Sequence, residues 1–366
     1  MRFLGRLLRF DWVLMLSVAT LIGVGLIVMY GIGISRPEGD LFLFNKHLVG
    51  AGIGMVALVT LGLIDYRQFR GLAFIAYGFG ALLLFGVLLF GDTIRGTRGW
   101  YTFGGLSFQP VEVAKLCLVI FLASYLSRFT HRQLPWHVIV GSLAATFGYM
   151  GLVMLQPDFG SAMVMLALWG AFLLFIGIGW KTMFSIAGVA LVTMVALWGF
   201  VLADYQKDRL MAFIDPSRDV RGAGYNVTQA QIAIGSGGLF GKGIGEGSQA
   251  RLRFLPEAAT DFSFAVVGEE LGFVGVTFVL GVFALLFYRL YVAARQSEDD
   301  FAALLILGIG AFFLVHITIN IGMNLGVMPV TGIPLPFLSA ASSYLLAAML
   351  ALGIVQSIAV RRRSAG

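Results

Sequence analysis

Charge is what this 366-residue chain has least of: Asp, Glu, Lys and Arg make up 12% of it, about half the ~25% of an ordinary soluble domain. That scarcity excludes a solvated globular enzyme, and no soluble catalytic domain is appended. The one cysteine, Cys117, excludes an intramolecular disulfide, and its apolar neighbours mark it as a small packing residue. Four histidines, His47, His131, His137 and His316, are dispersed over separate segments and form no zinc spacing. No internal repeat or low-complexity tract is evident.

What is present is apolar length. Hydrophobic residues make up 59% of the chain and the mean hydropathy is +0.91. Stretches long enough to cross about 30 Å of hydrocarbon recur throughout, which predicts an all-α integral membrane protein. About ten transmembrane helices are expected, near residues 12–34, 47–64, 71–91, 111–127, 138–155, 159–179, 183–203, 263–294, 302–325 and 337–360. The first follows basic "MRFLGRLLRF" but outruns a signal h-region and lacks a convincing cleavage site, so it reads as a retained helix.

An even number of spans puts both termini on one side. With the N-terminus inside, the inner segments hold thirteen basic residues, among them Arg2, Arg6, Arg9, Arg67, Arg70 and Arg361, while the short outer loops hold Arg36, Lys46, Arg95 and Arg98. The positive-inside rule therefore predicts cytoplasmic termini. The net charge of +6 reflects this bias and attraction to anionic lipid, with no indication of nucleic acid. On this reading residues 1–366 form one polytopic domain with a single long extracytoplasmic loop, 204–262, between helices 7 and 8. Loops this long are usually functional. Helical spacing at 205–214 and 225–234 predicts short helices along the membrane surface within it.

The polar residues each carry a structural and a functional reading. "GSGGLFGKGIGEG" fails the phosphate-loop pattern, because Ser236 replaces its first glycine and Gly243 follows Lys242; it reads as a flexible loop that could still hold a lipid pyrophosphate. In "FQPVEVAKL", Glu112 and Lys115 share a helical face, as a structural ion pair or as substrate-facing charges. Arg98 and Trp100 in "RGTRGWYTFGG" suit interface anchoring, and Asp158 in "QPDFGSA" suits a helix N-cap. In "FLPEAATDFSFAVVGEELGFVG", Asp261 stands at a natural cap position, where capping outweighs catalysis on spacing alone. Of Glu269 and Glu270, one is expected to join a polar interior.

These motifs, with "DPSRDVRGAGYNVTQAQIAIGSGGLFGKG" and "NIGMNLGVMPVTGIPLPFLS" in the same order, resemble the SEDS family (shape, elongation, division and sporulation), and within it the RodA type. The resemblance covers nearly the whole chain. It implies a peptidoglycan glycosyltransferase of the bacterial cytoplasmic membrane that polymerises lipid II on the outer face. It also implies that Asp261 of the "TDF" motif is the general base for the acceptor 4-hydroxyl, and that Glu112 and Lys115 organise the central cavity. Undecaprenyl pyrophosphate leaves and a β-1,4 linkage forms with inversion. Departure of a pyrophosphate needs positive charge, and Arg98, Lys115, Arg209 and Lys242 are candidates in that order. Trp100, Asp158, Gln249 and Thr260 complete the expected substrate contacts. No protein motif for a metal is recognisable; a divalent ion, Mg or Mn, is expected only with the pyrophosphate. The implied partners are a class B penicillin-binding protein and other membrane proteins of the elongation complex. A division or sporulation role, a lipid II flippase and a non-catalytic scaffold are the competing readings. The chain departs from the family pattern at Ala259, where histidine is usual, and at Ala340 and Ala341, where tyrosine and glycine are usual.

Overall fold

In hydrocarbon no water is available to satisfy a backbone, so an apolar run must close its own hydrogen bonds, and these runs do so as helices. The computed structural model describes residues 5, 7–35, 39–94, 96–103, 106–130, 134–185, 188, 222–252 and 254–362. In chain order the elements are α1 (Trp12–Ile34), α2 (Phe42–Leu63), α3 (Tyr66–Gly71), α4 (Ala73–Phe90), β1 (Asp92–Ile94), β2 (Thr97–Phe103), β3 (Leu106–Phe108), α5 (Pro110–Leu126) and α6 (Trp136–Met154). They continue with α7 (Phe159–Ile176), α8 (Ala223–Ser236), the single turn α9 (Ser248–Arg251), α10 (Ser263–Arg295), α11 (Asp300–Asn324) and α12 (Ser342–Arg362). Among the described residues nine helices, all but α3, α8 and α9, are long and apolar enough to cross a membrane.

The span expected at 183–203 lies almost wholly outside the described residues, as do Arg209 and the short helix expected at 205–214. The one expected at 225–234 is present as α8. The stretch 92–108, read from sequence as a loop, instead forms a three-stranded antiparallel sheet in the order β1-β2-β3. Trp100 stands opposite Asp92 and Tyr101 opposite Phe108. The threonine and aromatic residues of "TRGWYTF" favour a pleated, half-buried surface, and pairing satisfies backbone groups at the bundle's edge.

Side-chain contacts define two ends. At one, the Asp11 amide donates to Gln356 Oε1 at 2.8 Å, Arg289 pairs with Asp11 at 2.6 Å, Arg361 with Asp65 at 3.3 Å and Arg67 with Glu298 at 3.1 Å. α1 therefore begins and α12 ends at the same end of the bundle. At the other lie the starts of α5, α7 and α10, the end of α11, the sheet and α8. α5 and α12 run through the centre, with 89% of an 18-residue apolar stretch of each buried, against 22% of such a stretch in α2, α4 and α10.

α10 is broken two turns from its start. Gly272 has φ 66° and ψ −164°, so the helical ladder is interrupted there. The glycine-rich segment lies alongside and replaces the lost bonds: the amides of Lys242 and Gly243 donate to the carbonyls of Glu269 and Glu270, and those of Phe273 and Val274 donate to Gly238 and Leu239. Side chains at Gly241 or Gly272 would drive a Cβ into the facing backbone, so the close approach requires glycine at both. The segment read from sequence as a flexible loop is a backbone splint, and the uninterrupted helix expected at 263–294 is two half-helices.

Candidate active site

Asp261 precedes α10, but it does not cap it. The cap residue is Phe262, whose side chain carries no acceptor, and the Ala265 amide, which donates to the Phe262 carbonyl at 3.0 Å, is shared with Asn324 Oδ1 at 3.1 Å. The capping expected of Asp261 is thus supplied from α11, across the site. The same asparagine turns its amide nitrogen to the Asp261 carbonyl at 3.1 Å, and Asn320 Nδ2 donates to that carbonyl at 2.9 Å and to the Ile333 carbonyl at 2.8 Å. The Asp261 side chain is half-buried and faces Gly332, where a Cβ would lie 3.5 Å from Oδ2.

The approach to Asp261 is held equally tightly. Glu257 sits at φ 58°, uncommon for a side-chain-bearing residue, and its carbonyl accepts from the amides of Thr260, Asp261 and Phe262. Thr260 Oγ1 donates to Glu257 Oε2 at 3.1 Å. Ser339 Oγ donates to the Thr260 carbonyl at 2.6 Å and receives the hydroxyl of Ser263 at 2.8 Å. Residues 333–339 are in turn held by His47, whose Nε2 donates at 3.1 Å to the carbonyl of Phe337, itself at φ 66°. Backbone in sparsely populated regions persists only where its surroundings impose it, and here two such residues flank the aspartate's support.

One helical turn deeper lies a buried ionic cluster. Lys115 Nζ, 0% exposed, donates to Glu112 Oε1 at 2.9 Å and to His316 Nε2 at 3.3 Å. His316 Nδ1 lies 2.8 Å from the Phe312 carbonyl, an acceptor only, so Nδ1 carries the hydrogen and Nε2 offers its lone pair to the ammonium. The Tyr344 ring packs 4.6 Å from that of His316. Among the described residues neither Glu112 Oε2 nor the Tyr344 hydroxyl has a hydrogen-bond partner. Buried polar atoms are ordinarily bonded, and spare capacity of this kind is found among the described residues also at His47 Nδ1, Gln249 Oε1, Glu270 Oε2 and Thr331 Oγ1.

The other residues singled out by sequence divide. Asp158 is the N-cap of α7, accepting from the Ser161 amide at 3.0 Å, and it also meets Gln109 Nε2 at 3.4 Å. It borders the same region: a Cβ at Gly160 would lie 2.6 Å from the Thr331 carbonyl, next to Gly332. Arg98 is exposed and donates to the carbonyls of Leu89 and Gly91, both at 3.2 Å, closing the end of α4; Trp100 is half-buried beside it in β2. Lys242 Nζ pairs with Glu269 at 2.9 Å, and Glu269 also takes the Ser248 hydroxyl and the Gln249 amide. Glu270 accepts the Gly245 amide at 3.0 Å. Both glutamates are buried, where one was expected, because both face the splint rather than lipid, and Glu270 Oε2 has no hydrogen-bond partner among the described residues. Lys242 and Gln249 therefore belong to the helix break, apart from Asp261.

Sequence reasoning passed over His316, Asn320, Asn324, Ser339 and Tyr344. A signal was available for three: polar residues four apart in an otherwise apolar span share one face, and in lipid that face must look inward.

The chain as a whole has counterparts among known proteins. The model of the FtsW, RodA and SpoVE family, described as cell cycle proteins, matches residues 11–364. The chain belongs to that family. Among curated relatives, the peptidoglycan glycosyltransferase MrdB of Escherichia coli K12 is 38% identical over 94% of this chain and 93% of its own length. A probable peptidoglycan glycosyltransferase FtsW of Thiomicrospira cyclica is 34% identical over 95% and 91%. A chain from a solved structure on structural coordination of polymerization and crosslinking by a peptidoglycan synthase complex superposes with TM-score 0.83, 32% identity and coverage of 96% and 98%. The crystal structure of Thermus thermophilus RodA gives TM-score 0.70 at 31% identity, covering 97% of each chain.

Two of the alanines singled out in the sequence, Ala259 and Ala340, meet in this fold. The Ala340 amide donates to the Ala259 carbonyl at 2.8 Å, so both small residues sit on one contact immediately before Asp261.

Proposed function

We propose that the chain is a peptidoglycan glycosyltransferase of the bacterial cytoplasmic membrane, polymerising lipid II into β-1,4-linked glycan strands for cell elongation. The Asp11 end, with its basic residues, is placed in the cytoplasm, and the Asp261 end faces outward. In this reading Asp261 takes the proton of the acceptor sugar's 4-hydroxyl as that oxygen attacks the donor's anomeric carbon. Undecaprenyl pyrophosphate departs with the bonding electrons, and the new linkage is inverted. A positioned general base contributes about 10²–10⁴-fold. Lys115 supplies positive charge toward the leaving pyrophosphate. Any Mg or Mn ion arrives as part of that substrate.

The observation that carries the reading is the placement of Asp261: a half-buried carboxylate on a backbone clamped by Asn320 and Asn324, one turn above the buried Lys115 ammonium. The partner proposed is a class B penicillin-binding protein, supported by the similarity to a chain in a peptidoglycan synthase complex. Purified chain with that partner should form glycan from lipid II, and Asp261→Ala should lose polymerisation while folding normally; an Asp261→Ala protein that polymerises at the normal rate would sink the base assignment. The broken α10 favours a second reading, a lipid II flippase, since interrupted helices line substrate paths in transporters. Transport of lipid II across liposomes that persists in Asp261→Ala without polymer would select it.

A further inference from the structure

His316, Asn320 and Asn324 stand four residues apart on α11, one turn from each other on one face, and all three are 0% exposed. Each holds a different part of the site. Asn324 replaces the missing cap of α10 with its oxygen and grips the Asp261 carbonyl with its nitrogen. Asn320 grips the same carbonyl and ties it to the Ile333 carbonyl of the following loop, while its own carbonyl accepts from Asn324. His316 accepts from Lys115 and is fixed by its bond to Phe312.

We propose that this stripe is the positioning element of the transfer reaction, with α11 serving as the rigid ruler that sets the separation between Asp261 and Lys115. The inference rests on the reading of Asp261 as base. Two amide donors on one carbonyl fix the orientation of the Asp261 peptide, and with it the direction in which the side chain leaves the backbone. At the deeper end a neutral imidazole shares the ammonium with Glu112, so Lys115 is held from two sides without a second negative charge. None of the three touches the reacting atoms. They act by fixing two groups before substrate arrives, which removes an orientational cost from the transition state.

The test is lipid II polymerisation by the full chain with its transpeptidase partner, measured against substrate concentration and pH, with thermal melting followed on every variant. Asn324→Asp keeps an acceptor for the Ala265 amide, removes the donor to Asp261 and adds a negative charge nearby. Misplacing the base lowers kcat by up to about 10²-fold with KM within about twofold. The added charge disfavours ionised Asp261, so the acidic limb of kcat/KM moves to higher pH. A purely structural cap would be satisfied by Asp, leaving kcat above the limb unmoved, while the added charge shifts the limb in either case. At the other end His316→Gln keeps an acceptor for Lys115 and retains the rate, whereas His316→Phe loses kcat. Wild-type kcat in Asn324→Asp at pH values above its limb, or equal rates in the two His316 variants, overturns the proposal. If Asn324→Asp does not fold, the His316 pair decides. Asp261→Asn in the same assay separates the failures: normal polymerisation there sinks the base reading, while an inactive Asp261→Asn beside an unaffected Asn324→Asp sinks only the ruler.

Discussion

Asp11 and Glu112 are both buried carboxylates facing a basic side chain, at opposite ends of the same bundle. Asp11 caps α1 through the Leu14 amide and receives three contacts from Arg289, two from Nε at 3.2 and 3.0 Å and one from Nη2 at 2.6 Å. Both its oxygens are used. Glu112 gives one oxygen to Lys115 and leaves the other, 3.8 Å from His316 Nε2, without a hydrogen-bond partner among the described residues, the condition also of the Tyr344 hydroxyl. The first pair fastens α1 to α10 and has nothing left to offer. The second keeps spare hydrogen-bonding capacity at a cost in stability, as Glu270 Oε2 and His47 Nδ1 do elsewhere. What sets it apart is its place below Asp261, against the face of α11 that carries Asn320 and Asn324.

The comparison breaks most sharply if Lys115 is removed. Lys115→Met strands Glu112 as an unpaired buried charge, an expected loss of about 3–5 kcal/mol seen as a large fall in melting temperature. Pairing it with Glu112→Leu should recover most of that stability and none of the polymerisation. Arg289→Ala leaves Asp11 short of its partner and should cost about 1–3 kcal/mol, with polymerisation per folded molecule unchanged; lost activity there would erase the distinction between strut and site. Gly241→Ala tests the splint, where the forced shift of backbone should cost about 1–3 kcal/mol by thermal melting. Asp158→Ala removes a cap and should cost about 1 kcal/mol. Smallest of all, Arg67→Ala opens an exposed pair with Glu298 and should leave the melting temperature unchanged within error.

The spans were legible in the sequence wherever apolar length was continuous, and α8 was legible from its helical spacing alone. Capping at Asp158 was legible too, because an N-cap acts within three residues of itself. The same rule misled at Asp261, where the helix amide is capped by a residue fifty-nine positions away. Misread as well was the glycine segment: its composition suggests flexibility, and only the presence of Gly272 across from it shows that the glycines permit contact. The sheet at 92–108 was missed because three short strands carry little periodicity.

By itself the sequence determined that this chain lives in a membrane, how its spans are laid out among the described residues, and which carboxylates stand near a boundary. Those follow from local quantities, apolar length and charge, that add along the chain. Tertiary structure alone decided which carboxylates are satisfied. It brought Asn324 and Asn320 to Asp261, His316 to Lys115, and the Gly238–Gly243 segment to a broken α10. A hydrogen bond depends on distance in space, and in a bundle of helices that distance is set by packing between segments far apart in the chain.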